Sequence, residues 1–257
     1  MGSFFTIIII LTIVVVFGFS VLIAFVIKKY KDPKTAEFIA NEKQEMFANV
    51  LKKRKELHPH KAELYRQVTD AMVFNYTKAV TYNKLSGVIL NENRKPIVAF
   101  ERIERGIDAK GHLYATTKKQ TFYFVFKGLE ATFYCDEKLL GRFDKSGTIY
   151  DATDTEIGHA KHPIKASFDL QLFTTEKHRL GEGLFPLTLN DRELATIHVA
   201  PNYDAIGYNP SVEKIFDELG FGTPIITLFD TPTAEEENWL LAFAIFETAF
   251  HGHWLVS

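Results

Sequence analysis

The sequence predicts an N-terminal transmembrane helix and helical linker, followed by a mainly antiparallel β barrel-like domain with a buried hydrophobic C-terminal helix. Three observations predict it. Residues 4–27 form a 24-residue run without a charged side chain. After about residue 72 the texture changes to alternation and to β-branched or aromatic runs separated by turn residues. Residues 239–246, WLLAFAIF, are apolar on every side of a helix. Composition sets the bounds: 257 residues suffice for one large domain, or for an anchor plus one domain. Lys+Arg 30 against Asp+Glu 32 leaves a net charge of -2, so the overall charge asks for no nucleic acid. The single Cys135 excludes an internal disulfide framework and a four-cysteine zinc site.

The run from Phe4 to Ile27 would span about 36 Å as a helix, more than the roughly 30 Å hydrocarbon core. Its start, MGSFF, lacks the basic residues of a signal peptide and its apolar stretch is too long for one, so the expectation is an uncleaved anchor behind a short outside tail, residues 1–3. Lys28, Lys29, Lys31 and Lys34 follow the span and no Lys or Arg precedes it. The positive-inside rule then places the N terminus outside and the C-terminal domain in the cytoplasm, as a single-pass membrane protein in contact with the bilayer through residues 4–27. The sequon Asn75-Tyr76-Thr77 and the myristoylation-like Met1-Gly2 with Thr6 read as chance matches.

Residues 28–72 are the juxtamembrane linker. Pro33 suits a helix start. Ile39, Met46, Val50, Leu57, Leu64, Val68 and Met72 recur at helical spacing. Pro59 interrupts the pattern, so two helices, or one kinked helix, are expected over 33–72. Lys52-Lys53-Arg54-Lys55 reads as a solvated helical face rather than an anionic-lipid patch.

Residues 73–257 form the β-rich domain. Its expected strands are Val73–Tyr82, Gly87–Leu90, Ile97–Ile103, His112–Thr117, Thr121–Phe126, Ala131–Cys135 and Leu139–Phe143. They continue with Thr148–Asp151, Glu156–Lys161, Ser167–Phe173, Phe185–Leu189, Leu194–Val199 and Thr223–Phe229. A degenerate phrase recurs from Asn93, Asp136, Asp154 and Asn190: a polar turn, an apolar residue, a small residue, then alternation, as in the return strand of a hairpin. The closing helix, 232–250, opens on Thr233 and Glu236 in capping-box spacing, with Glu235, Glu236 and Glu237 where the helix dipole favours them. Its apolar core is too short to cross a bilayer, so its expected place is inside the barrel or a deep groove; a shorter membrane dip is the competing reading, and Glu247, His251 and His253 count against it.

The phrases LLGRF (139–143), EIGHAK (156–161) and ELATIHV (193–199), with the closing EENWLLAFAIFETAF (236–250), resemble the tubby C-terminal-like superfamily, which includes the LURP-one-related proteins and the phospholipid scramblases. The resemblance covers roughly residues 73 to 250. It implies a closed antiparallel barrel around a hydrophobic C-terminal helix and a lean toward lipid or protein binding. Tubby domains bind phosphoinositide headgroups through basic side chains, and no position here matches those residues.

Catalytic signatures are missing from the sequence. There is no HExxH, no Gly-x-Ser-x-Gly and no phosphate loop. The closest histidine pairs are His159 with His162 and His251 with His253; both read as ordinary surface or helix-end residues, with no metal and no cofactor expected. Cys135 lies beside acidic residues, which oppose thiolate formation. Asp151, Asp154 and Glu156 lack the spacing of a calcium loop. The run Phe122-Tyr123-Phe124-Val125-Phe126, with Phe133 and Tyr134, has the composition of a base-stacking surface, but barrel filling explains it more cheaply. The expected function is a membrane-anchored binding module for a lipid headgroup, a small ligand or a membrane protein partner, with no catalytic residue and no identified ligand-binding residue. The alternatives are a hydrolase or transferase whose site assembles distant residues, with His159, His162 and Asp154 as candidates, or a structural subunit of a membrane complex.

Overall fold

Left-handed turns build the β domain. Asp136 and Glu137 take φ of 48° and 66°, and Asn190 and Asp191 take 52° and 60°. Paired positive φ values are what a two-residue hairpin needs to match the twist of its strands. Three longer hairpins share another device, an Asx side chain that accepts from the backbone two and four residues on. Asn91 Oδ1 accepts from Asn93 and Lys95 N–H at 3.0 and 2.9 Å. Asp144 Oδ1 accepts from Ser146 and Thr148 at 2.9 and 3.1 Å, and Asp151 Oδ1 from Thr153 and Thr155 at 2.8 and 3.0 Å.

The computed structural model describes residues 12, 14–25, 36–59, 63–79, 82–105, 110–127, 130–160, 183–199, 217–219 and 222–254. The chain divides into two units, residues 1–40 and 41–257. In the first, helix α1 covers residues 14–25, and its side chains are exposed, including Phe17, Phe19, Leu22 and Phe25. Helix α2, Ala36–Lys53, begins at the end of this unit and continues into the second.

The expected transmembrane helix over 4–27 is corrected here. Among the described residues no helix is long and apolar enough to cross a membrane. A helix needs about 20 consecutive, predominantly apolar residues to cross a bilayer. The single-pass topology, the outside N terminus and the cytoplasmic placement all rested on that span and are withdrawn with it. Residues 1–3 and the four lysines at 28, 29, 31 and 34 lie outside the described residues.

Among the described residues the second unit holds thirteen strands: β1 Met72–Ala79, β2 Tyr82–Leu90, β3 Pro96–Arg105, β4 Lys110–Thr116, β5 Thr121–Lys127, β6 Glu130–Cys135 and β7 Lys138–Phe143. β8 Thr148–Asp151, β9 Glu156–Ala160, β10 Gly183–Leu189, β11 Arg192–Val199, β12 Asp217–Leu219 and β13 Ile226–Leu228 complete them. They form one sheet in the order β12-β1-β2-β3-β4-β5-β6-β7-β8-β9-β10-β11-β13, antiparallel in every described pairing. Its two ends are joined by the segment before β13. Ile225 N–H donates to Val68 O at 3.0 Å and Ile225 O accepts from His198 N–H at 2.7 Å, while Asp70 N–H donates to Thr223 O at 2.9 Å. Asp70 Oδ1 fixes that segment by accepting from Gly222 and Thr223, both at 2.8 Å. The sheet therefore closes on itself at these residues.

Helix α3, Ala234–Trp254, fills the interior; every residue from Trp239 to Phe250 is buried. Phe243 packs against Phe133 and Phe143 at ring separations of 5.3 and 5.8 Å, Phe246 against Phe124 at 5.7 Å, and Phe250 against Phe126 at 4.7 Å. Gly141 at φ 150° keeps room for the helix: a Cβ there would stand 2.8 Å from the Trp239 ring and 2.0 Å from Tyr150 O. The capping box forms, Glu236 N–H donating to Thr233 Oγ1 at 3.3 Å and Thr233 N–H to Glu236 Oε2 at 2.8 Å. At the other end Arg102, fully buried on β3, donates from Nη1 to Ala249 O at 2.8 Å and lies 3.8 Å from Glu104. A cation near the last carbonyls complements the helix dipole.

Two further expectations change. Among the described residues the stretch 33–72 holds α2 and a short 3-10 turn, Leu64–Arg66, where two helices or one kinked helix were expected, while Val68 leads into the sheet and Met72 begins β1. Met46, Val50, Leu57, Leu64, Val68 and Met72 are all buried, so the helical spacing reflected a shared need for burial. The expected strand Val73–Tyr82 runs too far: β1 stops at Ala79 and Tyr82 begins β2, whose later part is the expected Gly87–Leu90, the two strands paired from Ala79↔Tyr82 to Met72↔Ile89. The expected strand Ser167–Phe173 lies outside the described residues.

Candidate functional site

Three tyrosines share one row on the outer face of the barrel because their strands alternate strictly. In β5, Phe122, Phe124 and Phe126 are buried while Thr121, Tyr123 and Val125 are half-buried; β6 buries Ala131, Phe133 and Cys135 and turns Thr132 and Tyr134 outward. β4 follows suit with Leu113 in and Tyr114 out. Register places Tyr114 opposite Tyr123 and Tyr123 opposite Tyr134. Cross-strand aromatics on one face then touch, with ring centroids 4.4 and 5.5 Å apart.

From residue 41 on, α2 lies along one side of this row, buried through Met46 and Val50. Polar contacts pin it: Glu42 pairs with Arg105, Asn49 Nδ2 donates to Glu101 Oε2 at 3.3 Å, and Arg54 Nε donates to Thr116 Oγ1 at 2.8 Å. Phe47 adds a fourth ring, 5.8 Å from Tyr114, and Lys43 Nζ sits 5.3 Å over the Tyr123 ring. Between helix and sheet runs a groove of about 420 Å³ lined by Lys43, Gln44, Phe47, Tyr114, Tyr123 and Tyr134, with Thr121 and Glu137 at its β5–β6 side.

The electrostatics keep the groove neutral in its rings. Burial, with the Lys43 charge beside it, lowers the His112 imidazole to about 4. Its Nδ1, on a ring neutral at pH 7, shares a hydrogen bond with the Tyr123 hydroxyl at 2.8 Å. Burial, together with the neighbouring Tyr114 and Tyr134, raises the Tyr123 phenol above its ordinary value, and burial raises Tyr114 as well. These groups neither gain nor lose protons near neutrality. They offer aromatic surface, O–H donors and an amide rather than acid–base chemistry.

The residues singled out for catalysis are engaged elsewhere. His159 Nε2 is 3.0 Å from Ser146 O in an exposed turn, and Asp154 accepts from Arg142 Nε at 2.9 Å; no described contact joins the two. His162 lies outside the described residues, and so do the side chains of His251 and His253. Asp151 is spent on its own turn. Burial, reinforced by Asp136, pushes the Cys135 thiol up to about 11, the direction of inertness. Among the described residues no group of three or more His, Cys, Asp and Glu is placed to hold a metal ion.

The sequence reading treated the aromatic run as filling on both faces. The missed signal was residue type: within that run phenylalanine stands at 122, 124 and 126 and tyrosine at 123, and the phenol is the ring that keeps a wet tip. Comparison with protein-family models, with curated proteins and with solved structures finds no match.

Proposed function

We propose that this chain is a binding module whose ligand seats in the tyrosine groove on the outside of the barrel. One observation carries the reading: α3 fills the lumen, where a barrel of this size would otherwise hold a ligand, while β4–β6 and α2 leave an aromatic groove outside it. Four rings with a few polar groups around them are the usual lining of a binding site. Among the described residues Lys43 is the one cation lining the groove and Glu137 its one carboxylate. That balance favours an apolar or weakly charged ligand over a phosphate-bearing headgroup, which would call for several convergent cations. Kinship with the tubby-like barrels belongs to the same proposal and is supported by the closed sheet around a hydrophobic C-terminal helix.

The test is a fragment screen on the full chain with ring-labelled tyrosine, read by NMR. Binding fragments should shift the Tyr114, Tyr123 and Tyr134 ring signals, and Tyr123→Ala should abolish the response. Fragments that shift only other signals, or none at all, overturn the reading.

A further inference from the structure

The ligand's chemistry can be narrowed, on the premise that the groove is the binding site. We infer that its occupant is a proline-rich peptide segment in the polyproline II conformation, with a cationic side chain at the end nearest Glu137.

The rings exclude a flat ligand from the row itself. Tyr114 and Tyr123 already stack on each other, 4.4 Å apart at 25°. An aromatic guest would have to part them to find a face. What the row offers is a set of ridges and notches between ring edges, the kind of surface into which proline rings pack.

Spacing agrees. Neighbouring strands lie about 4.8 Å apart, so positions two strands apart, such as Tyr114 and Tyr134, recur at about 9.6 Å. A polyproline II helix repeats every three residues at 3.1 Å each, about 9.3 Å. Residues i and i+3 of such a segment therefore meet equivalent places along the row.

Hydrogen bonding agrees as well. A polyproline II backbone has no internal hydrogen bonds and presents bare carbonyls, while its prolines have no N–H to satisfy. The groove supplies donors to meet them: the Tyr114 and Tyr134 hydroxyls, the Gln44 amide and the Lys43 ammonium. The Tyr123 hydroxyl is committed to His112, which leaves its ring as the contact. An extended peptide of the other common kind, an added β-strand, needs a free sheet edge, and the strands that carry the tyrosine row, β4, β5 and β6, are paired on both sides.

Charge sets the direction. Glu137 stands in the β6–β7 turn at the edge of the groove and makes no ion pair among the described residues. Asp136 beside it accepts from Thr121 N–H at 2.8 Å. A lysine or arginine flanking the prolines would meet both carboxylates.

The experiment uses the full chain and a fluorescent polyproline peptide of about nine residues, three turns of the helix, with or without a terminal arginine. Anisotropy should show saturable binding, tighter for the arginine form. Tyr134→Ala should weaken it about tenfold, as expected for an aromatic anchor. Glu137→Lys, in an exposed turn away from the core, should remove the advantage of the arginine. Thermal unfolding of each variant checks that the fold persists. Absence of saturable binding, or binding indifferent to Tyr134→Ala, overturns the inference, and equal affinity for both peptides overturns its charge arm. If fragments shift the tyrosine rings while polyproline does not bind, the proline assignment falls and the groove remains the site; if neither binds, both fall.

Discussion

The two faces of β4–β6 are built from the same residues in alternation and behave as opposites. Inward, Phe124, Phe126 and Phe133 meet Phe243, Phe246 and Phe250 of α3 in contacts from which water is gone. Outward, Tyr114, Tyr123 and Tyr134 form an equally close row, but each keeps a hydroxyl and remains half-exposed. A period of two sorts rings to one face or the other; the hydroxyl decides whether a face is sealed or held open for contact. The inner face stabilises the fold, and the outer face is where binding costs little in stability.

The sharpest break of this contrast is Phe243→Ala. Truncating a buried phenylalanine that touches Phe133, Phe143 and Trp239 should cost about 3–5 kcal/mol. Urea unfolding of the full chain measures it, and a loss below about 1 kcal/mol would mean the helix is not inside the barrel.

A second test uses charge. Burial pushes the Glu247 carboxyl from 4.5 up to about 8. Between those values the folded state binds more protons than the unfolded one, so stability falls as pH rises. His112, lowered from 6.5 to about 4, acts in the opposite sense, but only below pH 6.5. From pH 6.5 to 8 the wild type should therefore lose about 2 kcal/mol relative to Glu247→Gln, at roughly 1.4 kcal/mol per pH unit. Parallel stability curves for the two proteins over that window would refute a buried, protonated Glu247.

A smaller effect is expected where the inner helix meets the rim. Burial raises the Glu236 carboxyl, but hydrogen bonds from Thr233 and Asn190 and the Arg192 charge outweigh it and hold the group below 4.5. Its contribution is present above the unfolded value and disappears as pH falls below it. Glu236→Ala should cost about 1–2 kcal/mol at pH 7, the loss of a helix cap, with the deficit shrinking in acid; a deficit that persists undiminished at low pH would point to packing instead.

The smallest belongs to the outer face. Tyr123→Phe keeps the ring and removes one hydrogen bond to His112, worth about 1 kcal/mol. A loss as large as that of Phe243→Ala would erase the distinction between the two faces.

Much of the barrel was legible as local grammar. The four recurring phrases begin beside Arg94, Asp136, Asp154 and Asn190, and each of these takes a positive φ, between 48° and 65°. A left-handed turn residue followed by a returning strand is a local requirement, so it recurs in sequence wherever the hairpin does. The capping box at Thr233 and Glu236 is local for the same reason. The end of β1 was placed too late, at Tyr82, which begins β2, and the apolar spacing across 39–72 was read as two helices or one kinked helix. The run 4–27 was read as a membrane span from its composition, and among the described residues no helix is long and apolar enough to cross a membrane.

What the tertiary structure decided is everything that depends on residues distant in sequence. The tyrosine row exists because the registers of β4, β5 and β6 align positions 114, 123 and 134. The groove exists because Phe47 and Lys43 arrive from a helix some seventy residues earlier in the chain. Closure depends on Ile225 meeting Val68 and His198. The sequence by itself determined the alternation that sends Phe inward and Tyr outward, the turns that reverse the strands and the apolar helix that needs a lumen, because backbone geometry and burial act on neighbours along the chain. Register, closure and the packing of α2 are settled by contacts whose partners no local pattern names.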